Sequence, residues 1–380
     1  MRTAKISRAS VAAAGAAVLV ACSSGTGGNP APAPAPSVAA PAPASASQRG
    51  PASAAPSATG TPDLSAPETV ATRLTTPWGL AFLPDGSALV SERDTGHILQ
   101  VRPGGGAPRE VYRVPGVAAA GEGGLLGIAV ARDFASTALV YAYFTANSDN
   151  RIARFRLGQS GAPQVIFDGI DKAGNHNGGR IAFGPDGMLY VGTGDAGESS
   201  SSQDADDPNG KILRLTPDGK PAPGNPRAGS PVWTLGHRNV QGLAWDAAGR
   251  MYATEFGQNS FDEVNLIERG HNYGWPEVEG TGGGRSYTDP IITWRTSEAS
   301  PSGAAISGRT LYVAALRGQR LWLVPLDGGT ARAEFEGKYG RLRTVAVAPD
   351  GALWLTTSNT DGRGGERDGD DRILRFPLSN

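Results

Sequence analysis

The sequence predicts an all-β domain, a six-bladed β-propeller of four-stranded antiparallel blades. Three observations carry that prediction. One strand-turn-strand phrase recurs six times, the recurrences lie a blade's length apart, and no long run of helical periodicity interrupts them.

The N-terminal segment stands apart from this pattern. Residues 1–21 begin with Arg2, Lys5 and Arg8, continue as an Ala/Val-rich apolar run too short for a membrane span, and end in Leu19-Val20-Ala21 before Cys22. That arrangement reads as a secretory signal peptide. Cys22 is the only cysteine of the chain, so an internal disulfide is excluded, and its place just after a small residue matches a lipoprotein processing site. Residues 22–66 are expected to be a lipidated cysteine followed by an extended Pro/Ala/Ser-rich tether, because such a composition buries too little apolar surface to offset its ordering entropy. The chain is therefore expected to be exported and lipid-anchored to the membrane, facing the periplasm or the exterior. A net charge of −1 with acids and bases interspersed gives no footprint for nucleic acid.

The propeller is expected over residues 67–380. Its six phrases are WGLAFLPDGSALVSER, LGIAVARDFASTALVYAYF, GRIAFGPDGMLYVGTGD, QGLAWDAAGRMYATEFG, SGAAISGRTLYVAALRG and RTVAVAPDGALWLTTSN. Aligned on Ala81, Ala129, Ala182, Ala244, Ala305 and Ala346, they are spaced by 48, 53, 62, 61 and 41 residues. Each first strand runs into a turn, and each second strand alternates aliphatic and aromatic residues. A third strand reads as Ile98-Leu99-Gln100-Val101, Ile212-Leu213-Arg214-Leu215 or Ile373-Leu374-Arg375-Phe376, and the spacing leaves room for a fourth.

Polar residues that the repeat does not need gather at equivalent blade corners. Glu122 precedes the first strand of blade two, His176 that of blade three, Arg238 and Asn239 that of blade four, and Arg341 and Arg343 that of blade six. In a propeller these corners face one end of the central channel. Arginines beside a histidine suit an anionic, multi-carboxylate ligand, since guanidinium binds planar oxygens in pairs and a neutral imidazole accepts a proton. Arg341 and Arg343 could equally pair with acids between blades. Asp262 and Glu263, beside a glycine-rich turn, suit Ca²⁺ or are simply a solvated acidic turn. His237 and His271 read as packing residues and His97 as an exposed strand residue. No nucleophile elbow, phosphate loop or paired metal-binding histidines are present.

HNGGRIAFGPDGMLYVGTGD, LGHRNVQGLAW, DEVNLIERGHNYGWP and GEGGLLGIAV together resemble the soluble pyrroloquinoline-quinone (PQQ)-dependent glucose and aldose sugar dehydrogenase family, from about Thr75 to Phe376. The resemblance implies a propeller that uses PQQ and Ca²⁺ to oxidise an aldose sugar at its anomeric carbon to a lactone, passing electrons to an external acceptor. It makes His176 the general base and Arg238, with Asn239, a contact to the quinone oxygens that stabilises charge on the reduced cofactor. Glu122, Asn175, Trp294, Thr296, Arg317, Arg341 and Arg343 match further cofactor-binding positions. Gly257 and Gln258 fall where backbone carbonyls hold the cofactor's calcium, and Glu263 and Tyr273 where a second, structural calcium is bound. Glu122 replaces the glutamine of many members, Arg317 a lysine and Gln258 a proline; Glu122 thus adds negative charge beside an anionic quinone. Alternative readings are a calcium-dependent lactonase-like hydrolase, which would want carboxylates converging on an axial metal, and a non-catalytic glycan- or partner-binding propeller.

Overall fold

The computed structural model describes residues 60–379, so the expected signal peptide, Cys22 and nearly all of the tether lie outside the described residues. The chain forms six sheets of four antiparallel strands, with successive innermost strands adjacent and the sixth returning against the first. It is a six-bladed β-propeller. The innermost strands are Pro77–Phe82, Leu125–Val130, Arg180–Phe183, Val240–Trp245, Pro301–Ser307 and Leu342–Val347. Blade six is built from both ends of the domain: Glu68–Ala71 adds as its outermost strand beside Ile373–Phe376, and Glu68 meets Arg375 in an ion pair.

The repeat phrase has a packing cause. The six alanines that align the repeats all lie on innermost strands and pair across to Leu89, Tyr141, Tyr190, Tyr252, Tyr312 and Trp354 on the second strands. A small residue near the axis opposite a large one fits the wedge shape of a blade. Buried apolar residues form six clusters, one at each seam between neighbouring blades, as where Leu89 and Ile98 of blade one meet Leu125 and Val140 of blade two. Each fully buried side chain of this size contributes roughly 1.5–3 kcal/mol. A blade is thus held mainly by its neighbours.

Close to the axis, backbones replace side chains at the seams. A Cβ on Gly127 would lie 2.2 Å from Gly179 O, and one on Gly242 would lie 2.4 Å from Ser302 O. Hydroxyls finish the seams: Ser91 donates to Leu126 O, Thr254 to Ser302 O and Thr344 to Trp78 O. This tight ring fixes the six corners that carry the polar residues.

Candidate active site

The corner before blade three holds His176 in a conformation that L-residues rarely adopt, with φ +54°. Its N–H donates to Glu122 Oε2 at 2.9 Å, and its carbonyl accepts from Ala196 N–H at 3.2 Å. The hairpin register Arg180↔Gly192 sets residues 176–179 beside 193–196. Asp195, almost wholly buried, therefore faces the imidazole, and its Oδ1 lies 2.7 Å from His176 Nδ1. Burial opposes ionisation of Asp195, but hydrogen bonds from His176, Gly197 N–H and Trp275 outweigh it and hold the carboxyl below its ordinary value. An ionised carboxylate only accepts, so Nδ1 carries the proton and Nε2 presents a lone pair. Asn175 Nδ2 lies 3.3 Å from that Nε2.

Asp195 also joins this histidine to Arg238. Its Oδ2 accepts from Trp275 Nε1 at 2.9 Å, its N–H donates to Arg238 O, and the Arg238 guanidinium lies 5.3 Å from the Trp275 ring centroid. Arg238 Nη1 donates to Gly257 O at 2.7 Å, while its Nε is buried without a partner. Burial pulls the Arg238 guanidinium down from its ordinary value against the opposing pull of Asp195 and nearby glutamates.

A cavity of about 390 Å³ opens at one mouth of the ring; His176, Arg238 and Asn239 do not line it but adjoin it through Glu122, which holds the His176 N–H, and Phe256, which bonds Asn239 and Arg238 through its N–H and carbonyl. Of the residues expected at a cofactor site, Glu122, Arg317, Arg341 and Arg343 line it, together with Arg93 and Arg363. Arg341 and Arg343 do pair with an acid, and they line the cavity as well: Arg341 Nε and Nη2 lie 2.9 Å from Asp361 Oδ2, and Arg343 Nη2 lies 3.8 Å from it. Burial lowers Arg343 to about 9, and burial with repulsion from Arg343 lowers Arg180, deeper along the channel, also to about 9. Arg343 Nε and Asn239 Nδ2 are buried donors without partners. Orphaned donors among clustered guanidinium groups are a chemistry that a planar polyanion with several acceptor oxygens would satisfy, so the residues fit the quinone.

Three further residues expected at the cofactor, Trp294, Thr296 and Asn175, also stand outside the lining of this cavity. Trp294 is buried between blades four and five, stacked on Trp322 at 5.0 Å, in an apolar cluster with Val264 and Val313. It is a core residue, and Thr296 is likewise not at the cavity; Ser300 is the residue of this segment that lines it. Asn175 is exposed and touches the site only through His176.

The calcium positions surround a second, minute void of about 10 Å³ lined by Glu255, Glu263, Glu279, Gly257 and Tyr273. That is the room one small particle needs. Burial and the neighbouring Glu255 push the Glu263 carboxyl well above the usual carboxylate range, and Asn265 Oδ1 is buried without a partner. Among the described residues no three acidic, histidine or cysteine side chains converge as a ready-made cage. A cation here would draw on Glu263 and main-chain carbonyls together, a donor set that suits Ca²⁺. The Tyr273 hydroxyl is committed to Leu266 O, which leaves its backbone for that purpose. Gly257 O already accepts from Arg238 but keeps a second lone pair, and Gln258 sits in a loop whose N–H groups, from Gln258 to Phe261, all point at Glu279 Oε1.

Of the remaining histidines, His237 packs as read, whereas His271 lies at the surface instead of packing. His237 is fully buried, stacked on Tyr273 and bonded to Thr234 and Glu255. His271 meets Thr288 and Glu268 at the surface. His97 is only partly exposed, between Glu92 and Glu110.

The chain matches the family model for glucose/sorbosone dehydrogenases over residues 74–374. It superposes on the PQQ-bound aldose sugar dehydrogenase of Streptomyces coelicolor with a TM-score of 0.80 and 55% identity, covering 85% of this chain and 99% of the other. It is 28% identical to the aldose sugar dehydrogenase YliI of Escherichia coli over 335 residues, 78% of this chain and 90% of that protein. With quinoprotein glucose dehydrogenase B of Acinetobacter calcoaceticus it shares 33% identity over 249 residues, 56% of this chain and 52% of the other. A match across nearly the whole propeller, carrying the polar corners with it, decides the affiliation: the chain belongs to the glucose/sorbosone dehydrogenase family.

Proposed function

We propose that this protein oxidises aldose sugars at the anomeric carbon to lactones, using PQQ with Ca²⁺ and passing the electrons to an external acceptor. The observation that carries the reading is the His176–Asp195 pair, 2.7 Å apart, whose histidine N–H is held by Glu122, a lining residue of the arginine-rich cavity. A positioned base and a polyanion site are together what such a reaction requires.

The family resemblance and the geometry together support the following division of roles. His176 Nε2 takes the proton of the anomeric hydroxyl, displacing Asn175 from that lone pair, as the carbon's hydrogen leaves with its electron pair and the carbonyl forms. Asp195 fixes the tautomer and stabilises the imidazolium that results. The bound quinone supplies the hydride acceptor. Arg238, short of one partner at Nε, stabilises negative charge gained there. Arg317, Arg341 and Arg343 would hold its carboxylates, the carbonyls of Gly257 and Gln258 would hold its calcium, and Glu263 with the Tyr273 backbone would hold a second calcium. The leader over residues 1–21, followed directly by Cys22, supports export and attachment to a membrane by a lipid.

The test is reconstitution of purified apo-protein with PQQ and Ca²⁺, followed by dye-linked oxidation of a panel of aldoses. Turnover that needs both additions supports the reading. Absence of quinone binding and of turnover with every aldose would remove it.

A further inference from the structure

The cavity's two carboxylates are treated differently by their surroundings. Asp361 is shared by Arg341 and Arg343. Glu122 has a single cation within ion-pair reach among the described residues, Arg363, whose Nη1 donates to Oε1 at 2.7 Å. The two residues are 241 positions apart, and the pair reaches from the last long loop of blade six to the corner before blade two, spanning blade one at the cavity mouth. The other oxygen of Glu122 accepts the N–H of His176, the residue held at φ +54°. A chain therefore runs from Arg363 through one carboxylate to the backbone of the histidine.

We propose that Arg363 is a positioning residue that neutralises Glu122, allowing an anionic cofactor to settle beside that carboxylate while Glu122 keeps its grip on His176. The inference rests on the PQQ reading above. Its physical basis is charge: a glutamate facing a polyanion repels it unless a fixed cation cancels the field, and the repulsion grows in a partly desolvated cavity. Arg93 cannot serve, because Asp94 holds its guanidinium at 2.6 Å. Arg317 lies on a different corner, after the second strand of blade five.

The proposal fixes the sign of a double-mutant cycle read by equilibrium quinone binding to apo-protein with Ca²⁺ present, with KM and kcat measured alongside. Arg363→Gln, which strands the Glu122 charge, is expected to weaken quinone binding on the order of tenfold and to lower kcat. Glu122→Gln removes the charge yet keeps an acceptor for His176 N–H, so it should bind quinone at least as tightly as the unaltered chain. The double variant Glu122→Gln/Arg363→Gln should regain most of the affinity that Arg363→Gln loses. If Arg363→Gln binds quinone normally, the inference is overturned. If the double variant stays as weak as Arg363→Gln, Arg363 acts directly on the ligand and the positioning role is also overturned. An unaltered chain that binds no quinone would sink both this inference and the function it rests on, whereas normal binding by the unaltered chain with either adverse result sinks the inference alone.

Discussion

Asp195 Oδ1 stands 2.7 Å from His176 Nδ1, while the same carboxylate's other oxygen holds Trp275 beneath Arg238. One buried acid thus aligns both the proposed base and the proposed electrophilic group. Asp195→Asn should lower kcat by about 10²- to 10⁴-fold, the usual worth of a positioned base, because an amide donor can turn the imidazole to the wrong tautomer. His176→Ala should fall in the same range, and the double variant should be little worse than either. Quinone affinity should change little in His176→Ala but fall in Arg238→Ala, which loses a cofactor contact as well. Near-normal turnover by a folded His176→Ala protein would count decisively against a catalytic role.

The strained histidine depends on a glycine across the hairpin. A Cβ on Gly194 would lie 1.8 Å from His176 O, so Gly194→Ala must push the histidine backbone away. The expected cost is at least about 2 kcal/mol of stability, the range of overpacked sites, with a further loss of kcat in the molecules that remain folded. Gly187→Ala is the control for backbone strain without a clash: unlike Gly194, Gly187 has a positive φ of +79°, and only the tip of Arg132 lies within 4 Å. There denaturant melts should show about 1–2 kcal/mol with kcat preserved. Equal kcat in the two variants would mean that His176 tolerates displacement.

Calcium should be felt as stability. Glu263, Glu255 and Glu279 line one small void without closing into a cage, so a Ca²⁺ bound there would offset the charge that Glu255 and Glu279 impose on Glu263, and ligand that binds only the folded state raises its stability by mass action. Chelation should lower the melting temperature by about 5 °C or more, with recovery on adding Ca²⁺ but not Mg²⁺, and Glu263→Gln should blunt the response. A melting curve indifferent to chelator would argue that the cluster is only a buried acidic turn.

What the sequence disclosed and what it hid divide by range. The blades were legible because a small residue on each inner strand must face a large one on the next, a rule that repeats in Ala129 with Tyr141 and Ala346 with Trp354. Corner residues such as Glu122, His176 and Arg238 were legible because they interrupt that rule at one place in each phrase. Asp195 lay within the same hairpin as His176, and counting the strand pairing outward from the turn would have found it. Arg363 had no such signal, since its partner Glu122 lies on another blade; Asp361 shares blade six with Arg341 and Arg343, but it sits in a long irregular loop where strand pairing sets no register. Trp294 entered only through the family resemblance, and its stacking on Trp322 in the seam between blades four and five is a long-range contact that no local pattern announces.

Acid titration offers a test of the arginine cluster independent of any cofactor. Burial alone would raise the Asp361 carboxyl, yet the charges of Arg341 and Arg343 prevail and hold it below its ordinary value. A carboxyl depressed in the folded state adds stability that is fully present above its unfolded pKa and is lost as pH falls through the folded one. Asp361→Asn removes that contribution and leaves two largely buried guanidinium groups without their shared anion. The variant should therefore melt below the unaltered protein at neutral pH, by a gap that stays constant above about pH 5 and narrows as pH drops below about 4. Other carboxyls titrate in the same window, but they are common to both proteins and cancel in the difference. Melting temperatures of the two apo-proteins from pH 3 to 8 decide the matter. A gap unchanged down to pH 3 would show that Asp361 stabilises the fold by shape and hydrogen bonding rather than by its charge.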